Sequence, residues 1–197
     1  MHVITCGFPS NVPPLIAFNV AEPKDGHLHR GSEGNLSIEE LADCPEIARD
    51  IAAQINSPLL PTQSCAHMQE LLWAKLQLNL ANAVNALADI PVKQMTENRY
   101  YRRVIALLMR ELLAVVKAKN ITLPKVAALP GHLIPAFISL PDFIFKSIGQ
   151  KMLAIDPTVR TSMWWDLSAN KLTEIEYLNA AVVAEGQALG VAYGTPR

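Results

Sequence analysis

Cysteine is scarce in this chain, with three residues among 197, Cys6, Cys44 and Cys65. They are odd in number, widely spaced and form no Cys-x-x-Cys pair, which reads as free thiols packed as small apolar residues in a reducing, cytoplasmic setting. A basic excess is also missing: the formal net charge is −1, so nothing is available to neutralise phosphates and nucleic acid is not expected as a partner. No block of like charges occurs. Met1–Cys6 is neither basic nor followed by a long apolar stretch, so no signal peptide is read there. The apolar stretches Leu71–Leu87, Val104–Val116 and Leu133–Phe145 are interrupted by Lys75, by Arg110 and Glu111, and by Pro135 and Pro141, which excludes each as a membrane span. Internal repeats and low-complexity segments are absent. What is present is apolar: 50% of residues are hydrophobic and 18% charged, which argues against disorder and suits one domain, or one domain with an arm.

The first forty or so residues are patterned differently from the rest. His2–Phe8 and Leu15–Val20 are short apolar runs, and Pro23-Lys24-Asp25-Gly26 is a turn signal. His27–Arg30 and Asn35–Glu39 flank a second turn at Gly31–Gly34. Two or three short antiparallel strands are expected here, leaning on something else because they would not stand alone. His27 and His29 share a face of one expected strand, but no third ligand is spaced to help, so no metal site is assigned.

From Asp43 the pattern turns helical. Asp43-Cys44-Pro45-Glu46 resembles a capping box, and Ile47, Ile51 and Ile55 follow at i, i+4 and i+8, predicting the buried face of a helix that stops before Pro58. Further helices are predicted from about His67 to Asp89, from about Glu97 to Lys119, from about Pro130, from about Pro141 to Leu153 and near Ser162–Leu167. A last long helix is predicted to start at the Thr173-Glu174-Ile175-Glu176 box and to stop at Gly190.

Leu71–Leu87 is apolar nearly all round, as expected of a helix at the centre of a bundle. Lys75, Asn79 and Asn82 lie at i, i+4 and i+7, on one stripe of that helix. Such a stripe either faces a polar cavity or consists of a snorkelling lysine with amides that bond neighbouring helices. Further on, Ser162-Met163-Trp164-Trp165-Asp166 leads to Thr173-Glu174-Ile175-Glu176-Tyr177-Leu178-Asn179. Considered alone, Ser162 could be a helix cap, Glu174 a first-turn acidic residue, and Trp164 and Trp165 core or interface residues.

Taken together, "LWAKLQLNLANAVNAL" and "IDPTVRTSMWWDLSANKLTEIEYLNAAVVAEGQALGV" resemble the C-terminal domain of ketopantoate reductases (2-dehydropantoate 2-reductases), in order and in spacing. The likeness runs from about Asp43 to Pro196, with a weaker match of residues 1–42 to the last strands of that family's nucleotide domain. It implies a mainly α fold, a helical bundle of the 6-phosphogluconate-dehydrogenase C-terminal type with a short antiparallel β arm at the N-terminus. Residues 1–42 would be the arm and linker, and residues 43–197 the substrate-binding and dimerisation domain.

The resemblance implies an NADP-dependent oxidoreductase of pantothenate biosynthesis. Lys75 and Glu174 would be catalytic, with Lys75 giving a proton to the ketone oxygen. Asn79, Asn82 and Ser162 would bind the 2-keto acid, and Asp166 would support the site from behind. Many family members carry a second asparagine eight residues after the lysine, where this chain has Ala83; Asn82 lies one position earlier.

NADPH, the implied cofactor, would be held by a Rossmann domain with a Gly-x-Gly-x-x-Gly turn. The glycines here, at 7, 26, 31, 34, 131, 149, 186, 190 and 194, never fall as Gly-x-Gly, and no βαβ pattern is read. The chain alone is therefore expected to bind no NADPH and to be inactive. A related 2-keto acid reductase and a non-catalytic helical dimerisation module remain as alternatives, and a homodimer is expected in each case.

Overall fold

The computed structural model describes residues 14–16, 18, 20–24, 26–30, 34–125, 129–149 and 157–191. The run expected at His2–Phe8, together with Cys6 and the turn residues Gly31, Ser32 and Glu33, lies outside them. The chain divides into two compact units, Met1–Leu72 and Trp73–Arg197, the division falling within one helix.

In the first unit, β1 (Pro14–Ile16), β4 (Leu36–Glu39) and β5 (Thr62–Cys65) form a sheet in the order β1-β4-β5. Strands β2 (Val20–Lys24) and β3 (His27–Arg30) form a separate antiparallel hairpin, whose turn carries Gly26 at φ 77°. A residue with a side chain is strained at that angle, so glycine is apt there. β1 pairs with β4 antiparallel, but β4 pairs with β5 in parallel, with α1 (Pro45–Ile55) as the crossover. A βαβ unit is therefore present, although none was read from the sequence: Thr62-Gln63-Ser64-Cys65 is too polar to announce a strand.

The helix start and its buried face also differ from expectation. Cys44, not Asp43, is the cap residue of α1; no side-chain cap forms, and Pro45 opens the first turn. Ala48 and Ala52 face the core against Ile38, with Ile51 beside them, while Ile47 and Ile55 are exposed. Alanines let the helix approach the sheet more closely than isoleucines could. The crossover is fastened by charge: Arg49 donates to both oxygens of Glu40 (3.1 and 2.7 Å), and Ser64 Oγ donates to Glu40 Oε1 at 2.7 Å. The Arg49 hydrogen bond, followed by that of Ser64, holds the Glu40 carboxyl below its usual range.

The second unit is helical, and α2 (Met68–Asn79) runs into it. α3 (Ala81–Ala88), α4 (Val92–Glu97), α5 (Arg99–Ala118), α6 (Ile134–Ile138), α7 (Asp142–Ile148), α8 (Ser162–Ser168) and α9 (Asn179–Ala188) follow, with 3₁₀ turns at Gly131–Leu133 and Glu174–Glu176. α5 is the core helix. Ile105, Ala106, Met109, Leu112, Val115 and Val116 fall on its buried stripe and pack with Leu80, Met95, Ile134, Ile138, Phe145 and Val182. The α5 start is capped by Asn98, whose side chain accepts from Tyr100 N at 2.9 Å. Val191 N closes the end of α9 on Gly186 O at 2.9 Å, with Gly190 at φ 64°, as the glycine stop predicts. Among the described residues, no helix is long and apolar enough to cross a membrane.

Candidate functional site

The lysine-bearing helix is not buried all round, as its composition had suggested. Ala74, Gln77 and Leu80 are buried, whereas Leu72, Leu78 and Leu87 are exposed. It also breaks at Leu80 into α2 and α3. Leu80 keeps helical dihedrals (φ −57°, ψ −26°), so the stripe of Lys75, Asn79 and Asn82 carries across the break. All three residues are half-buried. Desolvation pulls the Lys75 ammonium below the usual lysine range, and the negative charge of Glu174 pushes back in part. Glu174, far from Lys75 in sequence, is thus brought near enough for its charge to be felt at the ammonium.

The chain around Glu174 explains how. The expected capping box at Thr173 does not form: Thr173 makes no side-chain cap, and Glu174–Glu176 is a single 3₁₀ turn. Tyr177 N and Leu178 N both donate to Glu174 O (3.0 and 3.1 Å), and Leu178 then leaves helical geometry. The long helix starts only at Asn179, so its dipole does not account for Glu174. Asn179 Nδ2 donates to Leu80 O at 3.5 Å, at the break beside Asn79. That contact ties the first residue of α9 to the break between α2 and α3.

Ser162 is exposed and is the first residue of α8; Thr161 holds the cap position, so capping does not account for Ser162. Thr161 does not cap either. Its N–H and its hydroxyl both donate to Asn85 Oδ1 (3.1 Å each), and the hydroxyl lies 3.4 Å from Asn82 O. The start of α8 is thus attached to α3, the continuation of the lysine helix. On the outer side, Asp89 Oδ1 accepts from Trp164 Nε1 at 2.7 Å and from Arg160 at 3.2 Å, and the Arg160 guanidinium sits 4.5 Å over the Trp164 ring. Trp164 packs on the small core of Ala83, Ala86 and Met163; Trp165, read as core or interface, is exposed. Asp166 is half-buried, and its carbonyl accepts from Lys171 N at 2.8 Å, closing the end of α8.

Two residues that the sequence reading did not single out are the most deeply buried polar groups of these helices. Gln77 donates to Gly131 O at 2.8 Å, and Asn85 donates to Ile90 O at 2.7 Å while accepting from Thr161. The available signal was an amide placed among apolar helix positions, where a buried polar group needs partners.

Comparison with known proteins follows the same lines. Residues 67–196 match the model of the ketopantoate reductase PanE/ApbA C-terminal family. This chain belongs to that family. The 2-dehydropantoate 2-reductase of Pyrobaculum aerophilum is 29% identical over 186 residues, covering 94% of this chain and 58% of that protein. A PanE/ApbA-family ketopantoate reductase from Ralstonia eutropha JMP134 superposes with a TM-score of 0.66 at 25% identity, over 92% of this chain and 54% of that one. A D-mandelate dehydrogenase, solved with NADH and anilino(oxo)acetate, shares the fold with a TM-score of 0.68 at 20% identity, over 89% of this chain and 53% of its own. The chain therefore spans little more than half the length of the relatives it matches.

Proposed function

We propose that this chain is the substrate-binding and catalytic part of a cytoplasmic, NADPH-dependent 2-dehydropantoate 2-reductase, with the dinucleotide held by residues outside this sequence. The observation that carries the reading is the half-buried stripe of Lys75, Asn79 and Asn82, with burial drawing the Lys75 ammonium down against the charge of Glu174. A lysine whose ammonium is pulled down by burial gives up a proton more readily than one in water. Lys75 Nζ donates that proton to the ketone oxygen of the 2-keto acid as the carbonyl is reduced, and the neutral amine is reprotonated from solvent. Glu174 keeps Lys75 charged until then and accepts from a substrate hydroxyl. Asn79 orients the substrate, and Ser162 hydrogen-bonds its carboxylate. Asn82, on the same stripe, supplies a further amide to the substrate.

The βαβ unit does not fit a dinucleotide. Its β4–α1 connection, Glu40–Cys44, contains no glycine, and the Glu40 carboxylate is bonded to Arg49 and Ser64, so no pyrophosphate cradle exists there. NADPH, when bound elsewhere, supplies the hydride. A second reading, reduction of another 2-keto acid, is favoured by Ala83. That residue stands where many family members carry a second asparagine, and it is buried against Ala86 and Met163 without a polar group to offer a substrate.

The test is a split between KM and kcat in the reductase that carries this chain. Ser162→Ala raises KM for ketopantoate and changes kcat less, because the carboxylate is equally charged before and during the reaction. Asn79→Ala affects both. An unchanged KM in Ser162→Ala would contradict the assignment.

A further inference from the structure

We propose that Asn85 is a positioning residue for substrate binding: through Thr161 it fixes the place of Ser162, and so sets affinity for the carboxylate without touching the proton transfer. The proposal rests on the assignment of Ser162 above. Asn85 is fully buried, and its neighbours on α3, Ala83 and Ala86, belong to an apolar cluster. An apolar side chain would fill this place without the cost of desolvating an amide.

What the amide adds is direction. Nδ2 is spent on Ile90 O at 2.7 Å, which fixes the amide's orientation and leaves Oδ1 facing the 157–161 segment. Oδ1 then takes both donors of one residue, the N–H and the hydroxyl of Thr161. Thr161 holds the cap position of α8, where a threonine hydroxyl ordinarily serves its own helix. Here it serves α3 instead. The same segment is pinned once more by Val92 N donating to Val159 O at 2.9 Å, and α8 is latched from outside through Asp89.

Ser162 is the next residue along. A backbone held at Thr161 by two bonds to a buried acceptor gives the Ser162 hydroxyl one place relative to α3. Lys75 lies on α2, before the break at Leu80, so loosening Asn85 leaves the proton donor where it is. The expected signature is therefore a loss of affinity with chemistry intact.

The experiment measures steady-state kinetics for ketopantoate in the reductase that carries this chain. Asn85→Ala removes the acceptor, and its expected effect is a KM raised roughly tenfold with kcat held within about twofold and an unchanged pH profile. Thr161→Val keeps the backbone bond and removes the hydroxyl, so it folds more readily; it raises KM by a smaller factor, and Thr161→Ser restores it. In a Ser162→Ala background, Asn85→Ala adds no further rise, since the group it positions is already gone. If Ser162→Ala raises KM but neither the Asn85 nor the Thr161 variant does, the positioning role is overturned and the functional reading stands. Multiplying effects in the double variant, or kcat falling as far as KM rises, likewise overturn it. If Ser162→Ala itself leaves KM unchanged, the functional reading fails and the proposal falls with it.

Discussion

Burial and Glu174 pull in opposite directions on the Lys75 proton. Burial favours the neutral amine, and the carboxylate favours the ammonium. In the proposed reduction the ketone oxygen takes its proton from the ammonium, so activity should fall as pH rises through the lysine's pKa. Glu174→Gln removes the charge that raises this pKa and leaves the burial that lowers it, so the alkaline fall in kcat should move to lower pH. A profile of kcat against pH checks this; an unmoved or upward-shifted limb would show that Glu174 does not act on Lys75. The Lys75–Asn79–Asn82 stripe was legible because helical period alone aligns it. Asn85 and Thr161 were not, because their value lies in a bond between residues distant in sequence. Nor does periodicity show that Ser162 stands inside its helix while Thr161 holds the cap position.

The elements show a similar division. The extent of α5 and the glycine stop of α9 follow from the sequence, but the centre of the bundle was read at Leu71–Leu87 and lies on α5. The breaks at Leu80 and Leu178 do not, since a side-chain contact with the backbone accompanies the first and the second follows a 3₁₀ turn, and the short α4 ahead of α5 was not read either. The proline-broken stretch around α6 and α7 is partly core and partly surface. Phe145 is fully buried and Phe137 stacks on it with ring centres 5.4 Å apart, leaving Phe143 exposed. The organiser of this stretch is Arg102, buried on α5. It donates to the carbonyls of Ile138, Leu140 and Thr96 and to Asp142, each at 2.8–2.9 Å, with its guanidinium 4.1 Å over the Phe145 ring. Arg102→Met leaves these carbonyls without a donor, and the expected loss is about 3–5 kcal/mol of stability. Urea denaturation measures it. A loss below about 1 kcal/mol, the range of an exposed ion pair, would show that the contacts contribute little.

For the molecule as a whole, the fold class was legible because amphipathic helices dominate the chain. The parallel β4–β5 pair was hidden because its second strand is polar. A homodimer is expected. Phe143, Ile148 and Leu133 are the exposed apolar residues around α6 and α7. C2 is the commonest symmetry of soluble homo-oligomers. Sedimentation should give a dimer; a clean monomer at high concentration would contradict it and leave the site untouched. The most direct test of the central claim is kcat of Lys75→Ala in the reductase that carries this chain. A proton donor acts on charge that develops on oxygen only as hydride arrives, so its removal costs transition-state stabilisation specifically. The expected result is a kcat lower by about 10²–10⁴-fold with KM changed far less. A kcat near that of the unaltered enzyme would make Lys75 a structural lysine and contradict the assignment of the site.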